Sequence, residues 1–469
     1  MATDQIGVGI GGLAPAKEDL TNSPYNLKSD FVVDRETVDN DMHTFYPLNR
    51  IDNGSENAQI IFDIPQEPTL WTRMHTLTLL GNVEIKNNGE PPKVGEKFMV
   101  CNNFIQSLFS KVTVQINNCT INDTTINPYP YKAYMETLLS TTAWYQETIL
   151  STDGWFRDKC YLFNAIDTDA PTKQTIEEYI TNSEHEKRMN DLKGGSSKEF
   201  AIPIHHDVIN APSPLPPGYR MRLILQRSKD TFSLIWEKDS KVDPNNQDSA
   251  KNNYTIELSD LRIKIERIET TEAIFRHLYK PGDNRIAITR NFIRSYDKTK
   301  GLSNLGMLNA IETKQLPEAV YIALVDMDAF QGDCQKNPFY FEYVPMTSAS
   351  LIINGKHEPF RPYNTSSNGK RRREVYEDFL NNTGRDRWCS HAVNITCKEY
   401  YEGYHILAWD RTSARDNRWN RQIMSSGYVS INLMAETPIK KNYTIIVYAT
   451  YSDFLDFDNK SNVSLQLVP

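Results

Sequence analysis

The chain contains no apolar run of the roughly 18 residues that a membrane-spanning helix needs, so no transmembrane segment is expected. Its opening residues, Met1-Ala2-Thr3-Asp4-Gln5-Ile6, lack a basic stretch followed by an apolar core, so no secretion signal is expected either. Positive charge is not in excess. The 52 Lys and Arg stand against 60 Asp and Glu, a net charge of -8 and a pI near 5.7. A protein that coats nucleic acid needs a basic face to displace phosphate counterions, and the sequence supplies no large one. Cysteine is sparse. Cys101, Cys119, Cys160, Cys334, Cys389 and Cys397 contain no Cys-x-x-Cys pair, so free thiols in a reducing compartment are expected. No Gly-x-Ser-x-Gly elbow, Walker loop or Gly-x-Gly-x-x-Gly turn is present, which removes the common hydrolase, nucleotide and dinucleotide signatures.

What is present points to sheet. At 469 residues the chain exceeds one ordinary core. Aromatic residues make up 11%, with 24 Tyr and 19 Phe, and such side chains suit pleated, half-buried surfaces. Ten Asn-x-Ser/Thr sequons occur, several inside strand-like runs. Without a secretion signal they reflect an Asn-rich, turn-rich chain.

Residues 1–40 carry Gly7, Gly9, Gly11, Gly12, Pro15 and Pro24 and few bulky apolar residues, which predicts a flexible N-terminal arm. From Gln59-Ile60-Ile61-Phe62-Asp63-Ile64 onwards the texture is that of short strands. Val112 to Ile116 alternates with period two and ends at Asn117-Asn118, a hairpin signal. Tyr131, Tyr134, Met135 and Leu138 fall at helical spacing and predict a short amphipathic helix. Residues 165–200 are polar and read as an inserted surface loop. Alternation resumes at Tyr219–Leu225 and again from Tyr254. There Ile256 and Leu258, then Leu261, Ile263 and Ile265, break phase near Ser259-Asp260, as a bulge or turn would. A second series of strands follows Glu269.

The two series share an order. Ile116-Asn117-Asn118 is matched by Ile352-Ile353-Asn354-Gly355. The Tyr134 helix is matched by Val375-Tyr376-Glu377-Asp378-Phe379-Leu380, Gly218-Tyr219 by Gly427-Tyr428, and Asn253-Tyr254-Thr255-Ile256 by Asn442-Tyr443-Thr444-Ile445. Four matches in one order predict two copies of one β-fold, at 41–269 and 270–469.

Several segments carry a family resemblance. Asn103 through Val112 followed by Pro128 through Leu139 resembles the major capsid proteins of Polinton (Maverick) elements and adintoviruses. So do Leu225 through Phe232, Val325 through Gly332 with Lys336 through Phe339, and Tyr401-Glu402-Gly403-Tyr404. The resemblance spans roughly residues 55–460. It implies an all-β fold of two tandem eight-stranded jelly-roll barrels, with short helices in the loops. It also implies a non-enzymatic major capsid protein whose homotrimers form pseudo-hexameric capsomers. These would tile an icosahedral shell around a DNA genome, assembled inside the host cell, with a single jelly-roll penton protein as a further partner. A carbohydrate-binding or carbohydrate-cleaving jelly-roll protein is the competing expectation.

No catalytic residue, cofactor site or metal site is assigned. Three clusters offer candidate chemistry. His205-His206-Asp207 places His205 and Asp207 on one face of a strand, as a metal would need, or else forms a solvated strand end. Asp326 and Asp328 are spaced like paired carboxylates of a glycosidase, but sit beside an expected turn. Lys370-Arg371-Arg372-Arg373 is either an import or nucleic-acid signal or a charged face opening a helix that continues with Glu374, Glu377 and Asp378.

Overall fold

A computed structural model describes residues 37–93, 96, 98–121, 128–158, 187–189, 192, 195–236, 253–271, 284–311, 315–367, 371–383, 393–411, 426–457 and 463–466. The first ten strands are β1 (Thr37–Phe45), β2 (Gln59–Ile64), β3 (Leu70–Asn87), β4 (Phe98–Val100), β5 (Phe109–Ile116), β6 (Cys119–Ile121), β7 (Lys198–Pro203), β8 (Met221–Arg227), β9 (Leu234–Trp236) and β10 (Tyr254–Thr270). They form two four-stranded sheets, β1-β10-β3-β7 and β2-β8-β5-β6, with β4 and β9 as a separate ribbon. The second series is β11 (Asn284–Lys298), β12 (Met307–Ile311), β13 (Ala319–Asp326), β14 (Met346–Ile353), β15 (Lys356–Tyr363), β16 (Ile406–Asp410), β17 (Val429–Ala435), β18 (Tyr443–Phe457) and β19 (Val463–Gln466). Its sheets run β11-β18-β13-β16 and β12-β17-β14-β15, with β19 added beside β18.

Replacing each barrel strand of the first series by its counterpart in the second reproduces both sheet orders. All the pairings are antiparallel. Two packed four-stranded sheets in this order are a jelly roll, and the chain is a double jelly roll.

Local chemistry explains the repeat. In β8, Met221, Leu223 and Leu225 point inward and are fully buried while the residues between them are half-exposed. β17 does the same with Val429, Ile431 and Leu433. The β5–β6 and β14–β15 hairpins turn on Asn117-Asn118 and Asn354-Gly355. All four residues have positive φ (47°, 66°, 49° and 81°), as a tight hairpin matching strand twist requires. Each turn is also tied to the neighbouring strand. The Asn117 side chain accepts from the Arg220 N–H at 2.8 Å, and that of Asn354 from the Tyr428 N–H at 3.0 Å. These bonds correct the sequence alignment by one residue, since Tyr428 matches Arg220 and not Tyr219. The match is otherwise close where β10 and β18 begin. Tyr254 Oη donates to Glu96 at 3.0 Å, and Tyr443 Oη to Glu342 at 2.7 Å.

The phase break near Ser259-Asp260 is a bulge in the β3–β10 ladder, with Asp260 at φ 50°. The helices Tyr129–Ser140 and Arg372–Asn382 occupy the same connection, between the fifth and sixth strands of their barrels, β6 to β7 and β15 to β16. Residues 1–36 of the expected arm and 165–186, 190–191 and 193–194 of the expected insertion lie outside the described residues. β1 begins at Thr37, so residues 37–40 belong to a strand. At the far end of the insertion, Arg188, Met189 and Leu192 are buried, so that stretch is not wholly a surface loop.

Candidate functional site

The second barrel's β11-β18-β13-β16 sheet is buried on both faces. One face, with Ile322, Leu324, Ile445 and Val447, fills that barrel's own core. The other, with Ala323, Val325, Ile446 and Tyr448, joins a cluster shared with the first barrel. The helix Tyr129–Ser140 lies in this shared cluster, and apart from its last two residues it is entirely buried. A helix that is buried all round needs an apolar partner on more than one side.

Aromatic rings form the seam. Tyr134 stacks on Phe339 with ring centroids 4.3 Å apart and meets Phe341 edge-on at 5.6 Å. Tyr131 stacks on Phe330 at 5.3 Å and contacts Phe232 at 5.9 Å and Phe339 at 5.6 Å. Such pairs contribute about 0.5–1.5 kcal/mol each beyond their buried area. The segments quoted for the family resemblance therefore converge. Tyr131 and Tyr134 come from the first, Phe232 from the second, and Phe330 and Phe339 from the third. The fourth joins them, because Tyr404 Oη donates to the Asp158 carbonyl at 2.7 Å. Arg157 reaches Glu399 at 2.9 Å and sits over the Tyr404 ring.

A buried polar cluster completes the seam, and it overturns the expectation of a strand end at His205-His206-Asp207. Those residues lie in a loop. Lys132 Nζ donates to the fully buried Asp207 carboxylate, and Glu136 accepts from Asn291 of β11 at 2.8 Å and contacts His205 Nδ1 at 2.8 Å. Burial alone would raise the Glu136 carboxyl, but Lys132 and the His205 hydrogen bond outweigh it and hold it below its usual range. Burial pushes His206 down to about 3, so it is neutral. Lys132 occupies the space between the carboxylates that a metal would need. Among the described residues no cluster of three or more metal-ligating side chains occurs.

The other two clusters also have structural partners. Asp326 caps the helix Met327–Gln331, accepting from the Asp328 N–H at 3.0 Å. Lys336 Nζ bridges both carboxylates, at 2.9 Å from Asp326 and 2.8 Å from Asp328. A pair bridged by one lysine, with Asp326 also committed as a helix cap, is not arranged as a general acid and a separate nucleophile. In the basic run, Lys370 lies outside the described residues. Arg372 is sandwiched over Tyr343 and Tyr401, 4.8 and 4.1 Å from their ring centres. Arg371 lies 3.5 Å from Glu374, which is the charged helix start that the sequence suggested. Beside this sandwich His405 is fully buried with neither ring nitrogen hydrogen-bonded, and burial, with Arg372 nearby, holds it down at about 3. Cys101, Cys119, Cys334 and Cys397 are not in disulfide bonds.

No family model matches the chain. Among curated proteins, an uncharacterized protein of Caenorhabditis elegans is 24% identical over 158 residues, and the aligned region spans 37% of that protein's length. Among solved structures, a chain of the Sputnik virophage aligns with 100% of this chain and 96% of its own, with a TM-score of 0.58 at 12% identity. A chain of the PBCV-1 virus capsid aligns over 94% of this chain and 99% of its own, with a TM-score of 0.54 at 10% identity. The Faustovirus major capsid protein covers 89% of this chain and 90% of its own, with a TM-score of 0.51 at 9% identity. At these identities the likeness is one of fold, and it extends over both barrels together.

Proposed function

We propose that this chain is a major capsid protein, a structural protein of a virion shell and not an enzyme. The observation that carries the reading is the pairing of two jelly rolls of identical strand order in one chain, fused through a buried seam. The end-to-end likeness to chains of viral capsids supports it. A solitary binding module has no evident need for a second, rigidly fused copy of its barrel. A shell lattice does, because three such chains in a closed ring present six barrels to six neighbours.

The finer reading follows from this one. The chain forms homotrimers, which tile an icosahedral shell around a DNA genome inside the host cell, with a single jelly-roll penton protein at the vertices. Its relatives are the capsid proteins of Polinton elements and adintoviruses, on the strength of the segments that meet at the seam. A net charge of -8 suits enclosing a genome without gripping it. The arm, with its boundary moved to residue 36 because β1 starts at Thr37, orders itself against a neighbour during assembly. The barrels occupy the remainder, dividing near residue 270.

Light scattering on the purified protein tests the reading. A mass three times the 54.0 kDa chain supports it. A single-chain mass at micromolar concentration, together with binding on a glycan array, would favour the carbohydrate-binding alternative.

A further inference from the structure

A cleft of about 230 Å³ opens where the two barrels meet, beside the aromatic seam. Strand register explains its place. Gln59 pairs with Gln226 and Phe109 with Arg227, so the start of β2, the end of β8 and the start of β5 lie side by side at one end of their sheet. Ser228 continues from β8, and its N–H donates to the Leu108 carbonyl at 2.8 Å. The second barrel supplies Phe330 and Gln331, from the helix Met327–Gln331 that follows β13.

The body of the cleft is apolar. Tyr131, Phe232 and Phe330 present rings, and Pro128 and Pro130 add walls that have no backbone N–H to offer. The Tyr131 ring stacks on Phe330 and meets Phe232 edge-on, so the three are held as one surface. An apolar cavity of about 150 Å³ takes a benzene ring, so the larger volume here suits one aromatic ring with a short tail. Two polar lining residues are engaged within the first barrel. Ser110 Oγ donates to the Arg227 carbonyl at 3.1 Å, and Asn57 accepts from Gln226 at 3.0 Å. The side chains of Ser228 and Lys229 are not engaged. Ser228 is 8% exposed, and its Oγ has no hydrogen-bond partner. A buried hydroxyl left so costs stability that a ligand acceptor would restore. Lys229 is exposed and has no ion pair among the described residues. No residue lining the cleft is acidic. The carboxylates nearby in sequence have their own cations, Asp230 with Arg227, and Asp326 and Asp328 with Lys336.

We infer that this cleft binds a small amphipathic carboxylate, with one aromatic ring against Tyr131, Phe232 and Phe330 and its anionic head at Ser228 and Lys229. Ser228 donates one hydrogen bond to the head and Lys229 a second, and both are strengthened by the ligand's charge. An apolar body fixed by a few convergent polar groups is the usual build of a small-molecule site. The ligand touches both barrels, so its binding stabilises them as joined. Only the double barrel is needed, so the site stands or falls apart from the capsid reading.

The test is equilibrium dialysis of the full chain against 3-phenylpropionate, with 3-phenylpropan-1-ol as an uncharged probe of the same body. The carboxylate should bind once per chain with a Kd of roughly 0.1–1 mM, and the alcohol about tenfold more weakly. At ten times its Kd the carboxylate should raise the melting temperature by about 1–3 °C. Lys229→Met, at an exposed position, should weaken the carboxylate about tenfold and leave the alcohol unchanged. Phe330→Ala removes one aromatic wall and should weaken both probes several-fold, and Phe330→Leu takes its place should that variant unfold. The absence of saturable binding, equal affinity for the two probes, or binding that neither variant weakens would each overturn the assignment.

Discussion

His405 gives the sharpest local test. Its ring is fully buried among Tyr343, Tyr400 and Tyr401, with ring centroids 5.0–5.7 Å away, and neither nitrogen has a hydrogen-bond partner. Burial holds it down at about 3, against an ordinary value of 6.5. The unfolded chain therefore binds a proton between pH 6.5 and 3 that the folded chain refuses. Stability rises with pH in that window and is lost as pH falls through it. At pH 4.5, two units below the ordinary value, the loss is about 3 kcal/mol. For a barrel of this size that is a drop in Tm of roughly 5–10 °C. His405→Phe removes the effect. It retains an aromatic ring among tyrosines, and at pH 7.5 it should be neutral or stabilising, because it removes two unsatisfied polar atoms. The assay is thermal melting of both proteins at pH 7.5 and 4.5. The variant should lose clearly less Tm than the parent. Equal losses would refute the assignment of a neutral, proton-refusing His405.

Three further outcomes follow from the same geometry. Phe339→Ala removes a fully buried ring that three aromatic side chains contact, and should cost about 3–5 kcal/mol in urea unfolding; a cost below about 1 kcal/mol would show that the seam is not a packed core. Lys132→Met leaves Glu136 and Asp207 buried without their cation and should cost about 3–5 kcal/mol at pH 7.5. Without Lys132, burial drives the carboxyl of Glu136 upward, so the deficit relative to the parent should shrink at pH 5, and a deficit constant with pH would contradict this account. Duplex DNA should bind weakly at 150 mM salt in filter-binding assays, and sub-micromolar, salt-sensitive binding would show that a cationic surface has been overlooked.

The barrels were legible because their determinants are local. Asn117-Asn118 and Asn354-Gly355 announce hairpins through residues that tolerate positive φ, and the phase break at Ser259-Asp260 announces its own bulge. The one-residue slip between Tyr219 and Tyr428 comes from the recurring Gly-Tyr pair, which does not hold the same place in the two barrels, whereas the hydrogen bond to an asparagine side chain does. The seam was legible only as the scattered segments that carry the family resemblance. Lys132 and Asp207 are 75 positions apart, and Tyr134 meets Phe339 from the other barrel, so no local period reports either contact. The same reason hid Arg188, whose partner Asp158 buries it inside a stretch of polar composition.

Electron microscopy of the purified protein tests the central claim most directly. Class averages viewed down the symmetry axis should show a threefold ring of six lobes, two per chain, each the size of one jelly roll. Isolated two-lobed particles, or a ring whose lobe count is not six, would contradict it.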